Sequence, residues 1–302
     1  MSMNLNAEPE WNWLQGRTAL ITGAANGLGR GMARKWAESG AYVVIGDMDE
    51  TAGRIVLEEL RRISGKDKHH FVKTDVTSWE SQVALFKEAM EKSPGKHLDV
   101  VVANAGIGES DPEMFLPQAD LKLRKPNVKT IDIDLTGVIY TAHLAYWAFA
   151  QPAPKGDSLS SGSPRHHSLL LIGSMASLKY SSEPMYAAAK HGVLGLFRTL
   201  RRPHYFLKFD RNNPESSIKI KPGLLCPYFV DTNIIKKDGV KALPDDVELT
   251  KIEEVVEAAS RIVLDKEGGK AMMVLTHSMA KVMGKGKNKG GIVEIGGLSG
   301  KL

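Results

Sequence analysis

The stretch TALITGAANGLGRG (residues 18–31) runs a short apolar segment straight into Gly23, Gly27 and Gly29 and then into a helical pattern. A strand that empties into a glycine-rich turn and a helix is the setting in which backbone can approach a pyrophosphate. Gly23 permits the tight turn, Gly27 the close approach and Gly29 tight helix packing, while the helix N-terminus offers unpaired N–H groups to the anion. Taken alone, the loop also reads as an ordinary strand-to-helix turn, since glycine serves any position needing positive φ. Asp47 adds weight to the first reading. It ends the next β-rich run 18 residues after Gly29, where a carboxylate can bond the adenosine ribose hydroxyls. Its charge repels a 2′-phosphate, so the sequence predicts NAD in preference to NADP. Arg30 is the competing base, expected instead to face solvent.

Outward from this loop the chain alternates. TALIT (18–22), AYVVIGD (41–47), HHFVKTD (69–75), LDVVVANAG (98–106), SLLLIGS (168–174), SIKIKPGLLC (217–226) and AMMVLT (271–276) read as strands. Helical patterns fill 30–40, 78–92, 127–150, 184–209 and 251–265, with Gly40 closing the first. Nearly continuous apolar strands alternating with helices predict an α/β, doubly wound Rossmann fold of about seven parallel strands with helices on both faces. Residues 1–302 read as a single domain with a core at about 16–276, an N-terminal extension (1–15) and a C-terminal tail (277–302) without clear periodicity. The Pro/Ser/Gly-rich segment 151–167 reads as an exposed loop, not a linker.

Composition narrows the function classes. The chain has 302 residues and 42% apolar content, enough for a sizeable core. Although the formal charge is +5, 35 acidic residues accompany 40 basic ones along the chain, which argues against nucleic-acid binding. Cys226 is the only cysteine, excluding an intrachain disulfide and a cysteine-based zinc site and suiting a reducing compartment. No apolar run reaches the roughly 18 residues of a membrane helix, and the first fifteen residues lack the basic start of a secretory signal. The closing Ser-Gly-Lys-Leu differs from the peroxisomal Ser-Lys-Leu. The expectation is a cytoplasmic protein.

The chemistry concentrates after the fourth and fifth strands. Tyr186 and Lys190 are four residues apart on a predicted helix, hence on one face, so the ammonium can draw the phenol pKa from about 10 toward neutrality. Such a tyrosine can exchange a proton with a substrate alcohol or ketone while hydride moves. Ser174, twelve residues upstream at a strand end, can stabilise charge on the same oxygen. A Tyr/Lys pair alone is common on helices; Ser174 is what favours catalysis.

The joint pattern TGxxxGxG (22–29), Asn104-Ala105-Gly106, Ser174 and Tyr186-Ala-Ala-Ala-Lys190 resembles the short-chain dehydrogenase/reductase superfamily, classical type, over roughly residues 16–276. Within it, the 15-hydroxyprostaglandin dehydrogenase-like enzymes are the nearest narrower resemblance. That resemblance implies an NAD-dependent oxidoreductase interconverting a secondary alcohol and a ketone on a hydrophobic small molecule. Ser174, Tyr186, Lys190 and Asp134 would be its catalytic group. Gly23, Asn26, Gly27, Leu28, Gly29, Asp47, Asp75, Val76, Asn104, Ala105, Gly106, Tyr186, Lys190 and Thr232 would hold the cofactor. It also implies a homodimer or homotetramer associating through the helices at 127–150 and 184–209. Two departures stand out. Asp134, in DIDLTGV (132–138), occupies a place where the family has asparagine, and its charge can raise the tyrosine pKa; Tyr228 replaces a small residue in Cys226-Pro227-Tyr228. They leave open a dinucleotide-binding protein whose catalysis has decayed, and a biosynthetic ketoreductase is the alternative enzyme. Met175, Tyr180, Met185, Tyr228 and Phe229 read either as pocket lining or as core, and Pro203 should kink or end its helix early.

Overall fold

In the computed structural model, residues 7–65, 69–109, 122–151, 166–202, 219–232, 248–265, 267–276 and 291–295 are described, together with Leu5, Asp111, Met114 to Leu116 and Ser278. Strands β1 (Thr18–Thr22), β2 (Tyr42–Asp47), β3 (His70–Lys73), β4 (Val100–Ala103), β5 (His166–Ile172), β6 (Lys219–Pro227), β7 (Ala271–Val274) and β8 (Ile292–Glu294) form one sheet in the order β3-β2-β1-β4-β5-β6-β7-β8. The first seven run parallel. The eighth pairs antiparallel with β7, Met273 opposite Val293, and comes from the stretch beyond residue 276 in which the sequence has no clear period.

Helices α1 (Gly27–Glu38), α2 (Glu50–Ser64), α3 (Trp79–Lys92), α4 (Lys129–Ile131), α5 (Gly137–Phe149), α6 (Pro184–Leu200) and α7 (Ile252–Leu264) cover the sheet. The sequence reading named no helix at α2. It is nonetheless well defined at both ends, with Asp49 accepting the Ala52 N–H and Gly65 in the left-handed region at φ +65°. Between α4 and α5 the residues Asp132–Thr136 form a π-helical segment, so 129–149 is one helical path with a widened turn in its middle. The part of the predicted 184–209 helix beyond residue 202, with Pro203, lies outside the described residues.

Every residue of β1 and β4 is buried, as strands covered on both faces require. Side chains of α1, α2 and α7, including Trp36, Leu60 and Ile262, form the core on one face; α3, α5 and α6 supply Phe86, Phe149 and Phe197 on the other. Trp36, fully buried, donates its indole N–H to Ser260 Oγ at 2.9 Å and so ties α1 to α7. Sheet order reverses between β1 and β4, and at such a switch point the carboxyl ends of the strands open a crevice. Among the described residues no helix is long and apolar enough to cross a membrane.

Candidate active site

The glycine loop leaves β1 at that crevice. Gly23 has φ +65°, and a Cβ there would lie 2.6 Å from Ala105 Cα; one on Gly29 would lie 2.4 Å from the Gly23 carbonyl oxygen. Both contacts are to backbone, so the loop is compressed against the turn after β4 and admits only glycine. Asn104 holds the two together, its amide donating to the carbonyls of Thr22 and Gly23 at 2.8 and 2.9 Å. Asn26 caps α1 with extended backbone and no side-chain cap bond, and Leu28 is half-buried behind it. Thr232 packs over the loop, 3.4 Å from a Cβ built on Gly27. This cradle, open at a helix N-terminus, fits a dinucleotide pyrophosphate.

Asp47 closes the same loop. Its carboxylate accepts the Ala25 N–H at 2.9 Å and the Asp49 N–H at 3.0 Å, which fixes a negative charge beside the glycine turn. Arg30 does not simply face solvent: its guanidinium grips both oxygens of Glu59 on α2. Asp75 accepts from the backbone and hydroxyl of Thr77, while Ser78 is the residue that caps α3. Val76 is buried, its carbonyl bonded to Gln82.

Ser174, Tyr186, Lys190 and Asp134 converge at the ends of β4 and β5. Ser174 Oγ accepts the Ala176 N–H at 3.1 Å in a capping box around Met175–Ser177, and the hydroxyl sits close enough to Tyr186 to draw its pKa down. Lys190 Nζ lies 5.4 Å from the Tyr186 ring centroid and donates to the Ile172 carbonyl at 3.3 Å. Asp134, on the π-helical turn, meets the same ammonium directly, Oδ2 to Nζ 3.0 Å, with Oδ1 accepting the Ile107 N–H at 2.9 Å. Gly106 is packed against that carboxylate, where a Cβ would come within 2.8 Å of Oδ2.

The electrostatics correct one expectation. Lys190 does pull Tyr186 down, as does the Ser174 hydrogen bond, yet the phenol sits above its ordinary range. Burial is the largest cause, and the Asp134 and Glu183 carboxylates add to it. Burial likewise pushes the Asp134 carboxyl up, against the pull of the Lys190 ammonium and the Ile107 N–H. For Lys190 burial works downward, and the Asp134 and Tyr186 charges hold the ammonium above its usual range. The buried Cys226 thiol is pushed up to about 12, chiefly by desolvation, and is neutral.

The apolar residues flanking the site divide. Met175 is core, Tyr180 is almost fully exposed, and Tyr228 packs on the core with Phe229 edge-on at 4.7 Å. Two carboxylates escaped the sequence reading. Glu109 accepts the Tyr186 backbone N–H at 2.9 Å, and Glu183 is the N-cap of α6, three residues before Tyr186. Nothing in their spacing announces them except closeness in the chain to Gly106 and Tyr186.

Residues 17–241 match the family described as short chain dehydrogenase. The chain is 33% identical over 293 residues to the 5'-hydroxyaverantin dehydrogenase of Dothistroma septosporum, covering 89% of this chain and 88% of that one. It is 34% identical over 275 residues to the NADP-dependent dehydrogenase clz5 of Cochliobolus lunatus, covering 87% and 90%. Among solved structures, 3-ketoacyl-(acyl-carrier-protein) reductase from Brucella melitensis complexed with NADH shares the fold at a TM-score of 0.65 and 23% identity, over 86% of this chain and 97% of that one. A family match over residues 17–241 and relatives above 30% identity across most of both chains show that the chain belongs to the short-chain dehydrogenase family.

Proposed function

We propose that the protein is an NAD-dependent oxidoreductase interconverting a secondary alcohol and a ketone on a hydrophobic small molecule. The observation that carries this reading is Tyr186 held one helical turn from Lys190 and beside the Ser174 hydroxyl, at the strand ends that also carry the glycine cradle. A nicotinamide dinucleotide bound there supplies the hydride donor or acceptor. Ser174 donates its hydroxyl proton to the substrate oxygen and steadies its charge. Tyr186 Oη exchanges a proton with that same oxygen, as base toward an alcohol and as acid toward a ketone. Lys190, steadied by Asp134, supplies positive field and reaches the ribose hydroxyls. Gly23, Asn26, Gly27, Leu28 and Gly29 receive the pyrophosphate, Asp75 and Val76 flank the adenine, Asn104, Ala105 and Gly106 line the cleft, and Thr232 meets the carboxamide.

The preference for NAD rests on Asp47 at the glycine turn and on Arg30 being engaged by Glu59. Two relatives bear the name NADP-dependent dehydrogenase, so the preference is this chain's own to test. A second reading, a biosynthetic ketoreductase, is supported by the burial, and after it the Asp134 and Glu183 carboxylates, that raise the Tyr186 pKa. Association as a homodimer or homotetramer through the predicted helical regions at 127–150 and 184–209 is supported by the exposed Ile139 and Trp147 on α5. The reading places the enzyme in the cytoplasm.

The test is a panel of secondary alcohols and ketones offered with each cofactor, beside NADH fluorescence titration. Tyr186→Phe should abolish turnover and leave NADH affinity nearly intact. Comparable turnover in the variant overturns the proposed acid/base. A wild-type protein that binds NADH and turns over nothing would favour a decayed binder.

A further inference from the structure

The turn after β4 reaches into the catalytic group from three consecutive residues. The Ile107 N–H donates to Asp134, the Gly108 carbonyl accepts from Thr130 Oγ1 at 3.2 Å, and Glu109 Oε2 accepts the Tyr186 N–H. The first two steady the helical path that brings Asp134 to Lys190. The third acts on the tyrosine itself.

Helix α6 needs outside help at its start. Pro184 stands at its first position without an N–H, and the side chain of its N-cap Glu183 makes no capping bond. The Tyr186 amide is therefore an orphan donor, and its acceptor comes from 77 residues away in the sequence. Glu109 is only 4% exposed, and its second oxygen is buried with no hydrogen-bond partner among the described residues. Burying a carboxylate that uses one oxygen is costly, and a local serine or asparagine would cap a helix more cheaply. Its carboxylate bond, moreover, goes to the backbone of the residue whose hydroxyl must meet the substrate.

We propose that Glu109 is a positioning residue for Tyr186, fixing the first turn of α6 so that the phenol stays between Ser174 and Lys190. This rests on the function proposed above. Misplacing a reacting group by an ångström can cost about a hundredfold in rate. The charged and titratable groups around Tyr186 are Glu183 at the N-cap of α6, Lys190 on that helix, Asp134 on the π-helical turn and Glu109 itself, with the Ser174 hydroxyl beside them and the neutral Cys226 thiol near Lys190.

Glu109→Leu removes the acceptor while keeping the volume, and Glu109→Gln keeps an amide oxygen for the Tyr186 N–H. With a substrate found by the panel, the leucine variant should lose about tenfold or more in kcat with KM and NADH affinity within about twofold, and the glutamine variant should recover to within about threefold. A leucine variant with wild-type kcat, a loss confined to KM, or a glutamine variant as impaired as leucine overturns the proposal. Should the leucine variant not fold, Glu109→Ala takes its place with the same criteria. A second arm needs no substrate. The tyrosinate absorbance titration of each protein, minus that of its Tyr186→Phe counterpart, isolates Tyr186; its midpoint should move by about half a pH unit or more in the leucine variant and less in the glutamine one. If the wild type turns over nothing, the functional reading fails while this titration still decides the role of Glu109, and an unmoved midpoint overturns it.

Discussion

Asp134→Asn tests the electrostatic reading of the site most directly. Lys190 Nζ is 5.4 Å from the Tyr186 ring centroid. At an effective dielectric of about 20, a unit charge there favours phenolate by about 3 kcal/mol, or about 2 pH units. Asp134 Oδ2 is 3.0 Å from the same nitrogen, so the carboxylate lies at most about 8 Å from the ring and takes back about 2 kcal/mol on the same scale. Because burial favours a protonated Asp134, part of that charge is already absent, and a net shift of about one pH unit is the reasonable expectation. The sign follows from the base: in alcohol oxidation kcat/KM rises with pH as Tyr186 ionises. Removing the carboxylate lowers the phenol pKa, moves that limb down by about one unit and raises the rate near neutrality by up to about tenfold. The amide still offers an oxygen to the Ile107 N–H. The substitution also strips the partner from a buried ammonium that retains the Ile172 carbonyl, so a stability loss of about 3 kcal/mol should accompany the gain. Profiles of kcat/KM against pH for both proteins, with urea unfolding alongside, measure the two effects separately. A limb that stays put or moves up refutes the field argument; a lower rate on an unchanged profile means that the enzyme requires the carboxylate.

Other expectations follow from the same geometry. Asp47→Ala should narrow the preference for NAD over NADP by about tenfold, by relieving repulsion and freeing the Ala25 N–H, and a wild type that already prefers NADP refutes that reading. Gly29→Ala would press a methyl group onto the Gly23 carbonyl and Ala24 Cα, so it should cost about 2 kcal/mol or more and weaken NADH binding, which unfolding and fluorescence titrations would register. Asp99 is buried, which alone would raise its pKa, yet His97, the Thr18 N–H and Arg17 hold it below the usual range. Its contribution is complete above the unfolded carboxylate pKa of about 3.9 and is lost as pH falls through the lower folded value. Asp99→Asn should therefore lose about 3 kcal/mol at neutral pH and show less acid sensitivity in its urea midpoint; equal midpoints at neutral pH would count against the network.

The alternation of apolar strands with helices is legible because strands buried on both faces must be apolar throughout, and β1 and β4 are. The glycine loop is legible because only glycine tolerates the contact between Gly29 and the Gly23 carbonyl. Ser174, Tyr186 and Lys190 could be read as one group because a helical turn and a strand end bring them together over sixteen residues of chain. By contrast, β8 is three residues long amid glycines and lysines, too short for a period to appear, and is defined by its pairing with β7. The π-helical turn at Asp132–Thr136 is a shift of hydrogen-bond partner that no residue type announces.

Charge balance was the least legible property, since it depends on which side chains the fold assembles. In the sequence, one lysine beside one tyrosine promises a phenol drawn toward neutrality. In the fold, Asp134 arrives from a helical path 56 residues before Lys190 and meets its ammonium, while Glu109 from the turn after β4 bonds the Tyr186 backbone and Glu183 from the preceding cap raises the phenol pKa. Burial magnifies each of them, because a low dielectric strengthens charge–charge effects and the desolvation that opposes phenolate alike. The sequence marks Asp134 in DIDLTGV as a charge able to raise the Tyr186 pKa; its direct contact with Lys190 is what the fold adds. A site arranged in this way favours the proton on Tyr186, through burial first and then through the Asp134 and Glu183 carboxylates, which the spacing of Tyr186 and Lys190 does not announce.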